Sequence, residues 1–333
     1  MIAIHNAPGS FSDYWIKYCQ DKKIPYKIVN AYATDIIDQV ADCDAFMWHH
    51  NHGNYKDVLF AKQLLYSLQM AGKKVFPDFN TTWHFDDKVG QKYLLEAIGA
   101  PLVPSYVFYT RREALAWARQ TSFPKVFKLR GGAGAVNVKL VKTRRKAIRL
   151  VRKAFSVGFS QFNKWHYWQD RFQSWKQGAI SFGGLCKGIG RLIFPPEFAK
   201  MHPNEKGYVY FQEFIAGNQT DFRVKVVDGK CWGFQRVVRE NDFRASGSGK
   251  LIFDNAAIPL ELVSIAQETA RRLALQSVAF DFIQANGVWL IVEMSYGFGF
   301  DEREMCHGYW DEHLIWHDEY FVPQNWMVDC LLK

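Results

Sequence analysis

Two carboxylates, Asp281 and Glu293, stand on opposite arms of a hairpin whose turn is marked by Asn286-Gly287. A three-residue loop over 285–287, with Gly287 left-handed, pairs Gln284 with Val288. Ala279, Asp281, Ile283, Ile291, Glu293 and Ser295 then share one face, and Phe280, Phe282, Leu290 and Val292 fill the apolar one. Two acids side by side on a mostly apolar surface are costly unless a cation lies between them. Magnesium on polyphosphate oxygens suits such a pair, because it takes one or two protein carboxylates and fills its shell with water and phosphate. The competing reading is a pair of solvated carboxylates on a sheet edge.

A second group begins at Lys128, where an apolar strand runs into Arg130-Gly131-Gly132-Ala133-Gly134-Ala135-Val136-Asn137. Gly131, Gly132 and Gly134 let backbone N–H groups approach an anion closely, while Lys128 adds positive charge. The lysine precedes the glycines, so this is not a P-loop; an ordinary glycine-rich turn is the alternative. Arg223, Arg236, Arg239 and Arg244 are of the residue type that grips phosphate or carboxylate with two parallel hydrogen bonds, although strand arginines are also often solvated. His49-His50-Asn51-His52 has adjacent histidines on a strand end, which point to opposite faces. That argues for a polar loop or a substrate contact over a metal site.

These residues need elements to hold them. Strands over 2–5, 24–29, 45–48 and 73–76 alternate with helices over 13–20, 35–40 and 58–71, which predicts a parallel sheet covered on both faces. Ligands approach such sheets at the carboxyl ends of the strands, where the polar loops 6–10 and 49–54 lie. A helix over 87–98 is stopped by Gly99 and Pro101. A strand over 103–109, a helix over 112–120 and the Lys128 strand follow. Beyond residue 208 the chain reads mostly as sheet, with a helix over 260–275. The fold class is α/β with α+β character.

The 333 residues include 48% apolar and 23% charged side chains, the composition of a globular chain with room for two or three domains. No apolar run is long enough for a membrane span, and the first ten residues do not read as a signal peptide. The six cysteines are scattered, against a disulfide framework or zinc site and in favour of reduced thiols in a cytoplasm. The net charge of +9 is local: residues 142–187 hold eleven Lys or Arg against one acid, Asp170.

Taken in order, Asp87-Lys88, Lys128 with its glycine loop, Gln212-Glu213-Phe214-Ile215, Asp221-Phe222-Arg223, Arg236, Asp242-Phe243-Arg244-Ala245-Ser246, Asp281 and Glu293 resemble the ATP-grasp superfamily, over residues 75–300. The pattern is most similar to the ribosomal-protein glutamate ligase group, with D-alanine–D-alanine ligase, glutathione synthetase and biotin carboxylase more distant. The resemblance implies three parts: an N-terminal α/β domain over 1–80, a lid subdomain over 81–212 and a C-terminal subdomain over 213–333. It implies ATP and Mg2+ as cofactors. Lys88, with help from Lys92, and Lys128 would hold phosphates under the glycine loop, Glu213 and Phe214 would meet adenine, and Asp221 the ribose. Arg236 and Arg244 would steady the transferring group, with Lys128. Asp281, Glu293 and Ser295 would bind magnesium; Ser295 stands where the family usually has Asn, which weakens the third ligand. The implied activity joins a carboxylate, activated as an acyl phosphate, to an amine or thiol. A likeness to proteins of surface-polysaccharide synthesis suggests an amino acid and a sugar acid as substrates. A kinase acting on a hydroxyl and an inactive ATP-binding regulatory module are the alternatives.

Residues 142–205 lengthen the lid beyond the usual pattern. Phe155, Phe159, Phe162, Trp165, Trp168, Phe172 and Trp175 recur every three or four residues and are expected on one helix face, flanked by Arg149, Arg152, Lys153, Lys164 and Lys176. Packing on the protein's own core, contact of 142–187 with the inner membrane surface and docking of an anionic glycan remain open; nucleic acid is not expected. The acids after Asp301 are read as a cover for this segment, within one chain or across a homo-oligomer.

Overall fold

The computed structural model describes residues 1–132, 137–160, 181, 203–238, 250–254 and 257–333. Gly134, Arg239, Arg244 with the rest of 242–246, and the stripe from Phe162 to Trp175 with Lys164 and Lys176 lie outside the described residues. Residues 1–85, 90–102 and 215–333 form one compact unit, and residues 86–89 and 103–214 a second.

In the first unit the strands Tyr26–Val29, Ile2–His5, Ala45–Met47 and Lys74–Phe76 lie in that order and are all parallel, as their alternation with helices requires. Ile2–His5 is buried along its whole length. The helix Tyr55–Met70 closes one face through Ala61, Leu65 and Leu68. Phe11–Lys22 and Pro323–Leu332 close the other, with Trp15, Cys19, Met327 and Leu331 in its core. Side-chain caps start two of these helices: Ser10 accepts from the Ser12 N–H and Asn54 from the Lys56 N–H.

The same unit holds a sheet in the order Val288–Ser295, Ser277–Ala285, Thr220–Val227, Lys230–Val237, Tyr309–Trp310, Trp316–His317, with antiparallel pairing throughout. The helix Leu260–Arg272 buries Leu262, Val263 and Ala266 against Val224, Phe280 and Phe282. Gly233 permits this packing: a Cβ there would lie 2.7 Å from the Arg223 carbonyl oxygen and 3.2 Å from Ile258.

The hairpin differs from expectation in its turn. Asn286 and Gly287 both have positive φ, 50° and 81°, so the turn has two residues and pairs Ala285 with Val288. The register then shifts between Asp281 and Phe282: Phe282 pairs with Ile291, yet Asp281 pairs with Glu293. Val292 is the extra residue of a bulge. The bulge returns the two acids to opposed positions and corrects the expected faces, since Ile291 and Met294, not Leu290 and Val292, join Phe280 and Phe282 in the core.

The second unit has an antiparallel sheet in the order Ser105–Phe108, Val209–Glu213, Lys125–Lys128, Lys139–Val141. The helices Arg111–Gln120 and Arg144–Ala154 pack Ala114, Ala118, Leu150 and Val151 against Phe127 and Phe211. The second of these helices ends at Ala154. Gly158 follows at φ +72°, where a Cβ would lie 2.5 Å from the Glu205 carbonyl oxygen, and Phe159 forms a backbone bridge with Glu205. Phe155 and Phe159 therefore do not share a helix face, which corrects the start of the expected stripe.

Four of the acids after Asp301 have partners within the first unit. Glu304 meets Lys225, Asp311 meets His317, Glu302 accepts from Tyr14 and Glu319 from Tyr309.

Candidate active site

One face of the antiparallel sheet carries a grid of charges. Asp221, Arg223 and Lys225 alternate along their strand, so all three project to the same side. Cross-strand register puts Arg236 beside Asp221, then Phe234, Arg223, Asp281 and Glu293 in one row, and Trp232, Lys225, Ala279 and Ser295 in the next. Arg223 Nε donates to Asp281 Oδ1 at 2.7 Å and its Nη2 to Oδ2 at 2.8 Å. Arg236 grips Asp221 in the same two-bond manner at 2.7 and 2.6 Å and reaches Asp281 Oδ2 at 2.8 Å. The side chains of Arg236 and Asp281 are each only 6% exposed.

Burial alone would raise the Asp281 carboxyl, but the charges and hydrogen bonds of Arg223 and Arg236 outweigh it and hold the group well below the usual carboxylate range. At Asp221 burial dominates and pushes the carboxyl up to about 6, against the opposing pull of Arg236. Two arginines and two aspartates balance, which leaves the half-buried Glu293 as the excess negative charge of the row. Among the described residues no side chain hydrogen-bonds or ion-pairs with Glu293.

The donor set suits a hard divalent cation. The Glu293 carboxylate is uncommitted. Three hydrogen bonds or ion contacts occupy Asp281, out of about four lone-pair sites on a carboxylate, and Ser295 adds a hydroxyl two register positions away on the same face. Among the described residues no three His, Cys, Asp or Glu side chains converge on one point, so the remainder of the shell of any ion would come from ligand and water.

Lys225 extends the grid inward. Its Nζ donates to both Glu304 oxygens at 2.8 and 2.7 Å and to the Gly299 carbonyl at 2.8 Å, and Trp232 Nε1 donates to Glu304 at 2.7 Å. Burial lowers the ammonium to about 8 even though Glu304 opposes it. This pair fastens the segment that follows Ser295 onto the sheet.

Tyr296 links that segment to the parallel sheet: its hydroxyl donates to the His50 carbonyl at 2.6 Å, and its ring packs on His50 and Phe85. His50 Nε2 lies 2.5 Å from Thr82 Oγ1. The His49 ring stacks on Phe11 at 3.9 Å and its Nδ1 faces the Phe11 N–H at 3.4 Å. The histidines are thus held by packing and hydrogen bonds.

In the second unit, Lys88 closes on the glycine loop. Its N–H donates to the Arg130 carbonyl at 2.9 Å and its Nζ to the Gly132 carbonyl at 2.7 Å, while the Gly132 N–H donates to Asp86 at 2.7 Å. Lys128 is buried at the end of its strand, opposite Tyr210. Lys92 belongs to the first unit and pairs with Glu96 at 2.5 Å. The Glu213 carboxylate accepts from Lys125 Nζ at 2.6 and 2.8 Å and from the Tyr106 hydroxyl at 3.0 Å. Its side chain is committed, and Phe214 follows it half-buried.

The two-bond grip expected of Arg223 falls on Asp281, while Lys125, Glu205 and the Lys225–Glu304 pair are not singled out by the sequence. For Arg223 and Lys225 the alternation after Asp221 was an available signal; for Lys125 and Glu205 there was none.

Residues 201–309 match the family model described as a RimK-like ATP-grasp domain. No curated protein matches the chain in sequence. Among solved structures, a RimK domain ATP-grasp protein from Sphaerobacter thermophilus is 14% identical, with a TM-score of 0.57 over 100% of this chain and 99% of that one. The D-alanine–D-alanine ligase of Bacillus anthracis, complexed with ATP, is 13% identical, with a TM-score of 0.54 over 91% and 87%. The biotin carboxylase domain of the Hydrogenobacter thermophilus 2-oxoglutarate carboxylase, with MgADP and bicarbonate, is 12% identical, with a TM-score of 0.60 over 99% and 69%. The chain has the ATP-grasp fold, and its residues 201–309 match the RimK-like ATP-grasp domain model.

Proposed function

We propose that the protein is an ATP-dependent ligase that activates a carboxylate as an acyl phosphate and joins it to an amine. One observation carries this reading: Asp281 and Glu293 are opposed across two strands, with Arg223 and Arg236 on the former and the latter uncommitted, inside the segment that matches the RimK-like domain. A carboxylate is a poor acylating agent, and its attack on a terminal phosphate brings negative oxygens together. That step needs fixed positive charge where the new charge develops.

In this reading Lys88, Lys128 and the N–H groups of the glycine loop hold phosphates, and main-chain groups around Glu213 and Phe214 meet the adenine. Glu293, with Asp281 and Ser295, holds magnesium, which when bound supplies charge neutralisation on the phosphate oxygens. Arg236 and Arg223 keep Asp281 ionised and supply positive charge on the same face; Arg244 has the same assignment. Asp221 positions Arg236. The neighbouring ligase and carboxylase with ATP or MgADP bound support the cofactor assignment by fold. The acid and amine are small molecules; an amino acid and a sugar acid are the first pair to test, with an anionic glycan as a larger acceptor.

The experiment is ADP release with ATP and magnesium against a panel of amino acids and uronic acids, each with and without hydroxylamine. An acid that stimulates ADP release and yields a hydroxamate establishes an activated carboxyl. ADP release without hydroxamate makes the protein a kinase, and ATP binding without turnover on any acceptor makes it a binding module.

A further inference from the structure

The anion cradle at the head of the glycine loop is filled by the protein's own carboxylates. The Arg130 N–H donates to Glu205 Oε2 at 3.1 Å and to the Tyr208 hydroxyl at 2.6 Å, and the Gly131 N–H donates to Glu205 Oε1 at 3.2 Å. The Tyr208 hydroxyl in turn donates to Glu205. The next N–H, that of Gly132, donates to Asp86 at 2.7 Å. Three successive backbone donors thus end on carboxylate oxygens. Two of them converge on the two oxygens of one carboxylate, which is how a backbone nest holds an oxyanion.

We propose that Glu205 is a built-in anion that occupies this amide cradle and that nucleotide phosphate must displace. The inference rests on the ATP-binding reading above and adds a regulation of the same site. Two physical effects set its sign. A phosphate arriving at Arg130 and Gly131 must first break charge-assisted hydrogen bonds to Glu205. While the carboxylate stays nearby, its negative charge also opposes that of the phosphate.

Displacement does not require the backbone to move. Glu205 is fixed by a two-bond bridge to Phe159, Phe159 N–H to Glu205 carbonyl at 2.9 Å and the reverse at 2.8 Å. Rotation about the side-chain bonds of Glu205 frees the Gly131 N–H, and the Tyr208 hydroxyl, which also accepts from Arg130, must turn away with it to free the Arg130 N–H. Lys88, whose ammonium sits on the Gly132 carbonyl, remains to receive the incoming charge.

The test compares ADP and adenosine binding by calorimetry for the wild-type protein and the variants Glu205→Ala, Glu205→Gln and Tyr208→Phe. Losing a charged hydrogen-bonded competitor is expected to tighten ADP about tenfold in Glu205→Ala. A smaller gain is expected in Glu205→Gln, which keeps an acceptor without the charge, and in Tyr208→Phe, which loosens Glu205. Adenosine, which has no phosphate, should bind all four proteins alike. Unchanged or weaker ADP binding in both Glu205 variants overturns the proposal; weaker binding means that Glu205 shapes the loop for phosphate. If none of the proteins binds ADP or adenosine, the ATP reading itself is lost and this inference with it.

Discussion

Arg223 and Asp281 face each other across neighbouring strands and share two hydrogen bonds, at 2.7 and 2.8 Å, while Glu293, next in the same row, has no such partner among the described residues. The two acids should therefore answer differently to neutralisation. Asp281→Asn leaves two guanidinium groups facing a neutral amide and should cost about 3 kcal/mol, as breaking one side of a buried pair does. Glu293→Gln should change stability by less than about 0.5 kcal/mol while abolishing magnesium-dependent turnover. Urea unfolding and ADP release measure the two effects separately. Unchanged turnover in Glu293→Gln would remove the metal assignment.

The hairpin explains how far the sequence could be read. Asn286-Gly287 announced a turn, and the apolar alternation of Phe280 and Phe282 gave the core face of that arm. The opposition of Asp281 and Glu293 arises from a two-residue turn plus a bulge at Val292, and nothing in the local sequence marks Val292 as the extra residue. The parallel sheet was legible because each strand is a short apolar run between polar loops. The ion pairs were not. Lys125 and Glu213 lie 88 positions apart, and Lys225 and Glu304 lie 79 apart. Only the assembled sheets bring them together. The two-residue strands near the end of the chain are too short to carry any periodicity.

Two buried histidines, His50 and His84, and the half-buried His49 make stability depend on acid. Burial lowers His49 and His84 to about 4 from an ordinary value of 6.5, with Lys62 adding to the effect at His84, and burial lowers His50 well below that ordinary value. Neither ring nitrogen of His84 has a hydrogen-bond partner among the described residues. Between about pH 6.5 and 4 the unfolded chain binds protons that the folded protein refuses, so stability falls as pH drops through that window. Each histidine should contribute a slope of up to about 1.4 kcal/mol per pH unit. Urea midpoints between pH 4 and 7 measure the slope, and His84→Phe should flatten it. An equal slope in the variant would remove His84 from the account.

The Lys225–Glu304 pair should be far costlier to break than to replace. Both side chains are buried, at 0% and 2% exposure, so Glu304→Gln leaves an ammonium without its counter-charge and should cost about 3–5 kcal/mol. Removing both charges in Lys225→Met with Glu304→Met should recover most of that loss. A double-mutant cycle by urea unfolding reads the coupling directly. Additive losses from the two single changes would mean that the charges do not act as a pair.

Ser295 offers the gain-of-function test of the metal reading. It pairs with Ala279 two register positions from Asp281 and Glu293, on the same face, where a hydroxyl is a weaker magnesium donor than the carbonyl oxygen of an amide. Ser295→Asn supplies that oxygen on a longer side chain, opposite an alanine that leaves room for it. The magnesium concentration for half-maximal ADP release should fall by about threefold, a binding gain of about 0.6 kcal/mol, with the ATP requirement at saturating magnesium unchanged. A rise in the magnesium requirement would mean that this position serves the fold of the Tyr296 segment and not the ion. Because Tyr296 is anchored through its own hydroxyl to the His50 carbonyl, the substitution one residue earlier should leave the urea midpoint near the wild-type value, which keeps the two outcomes separable.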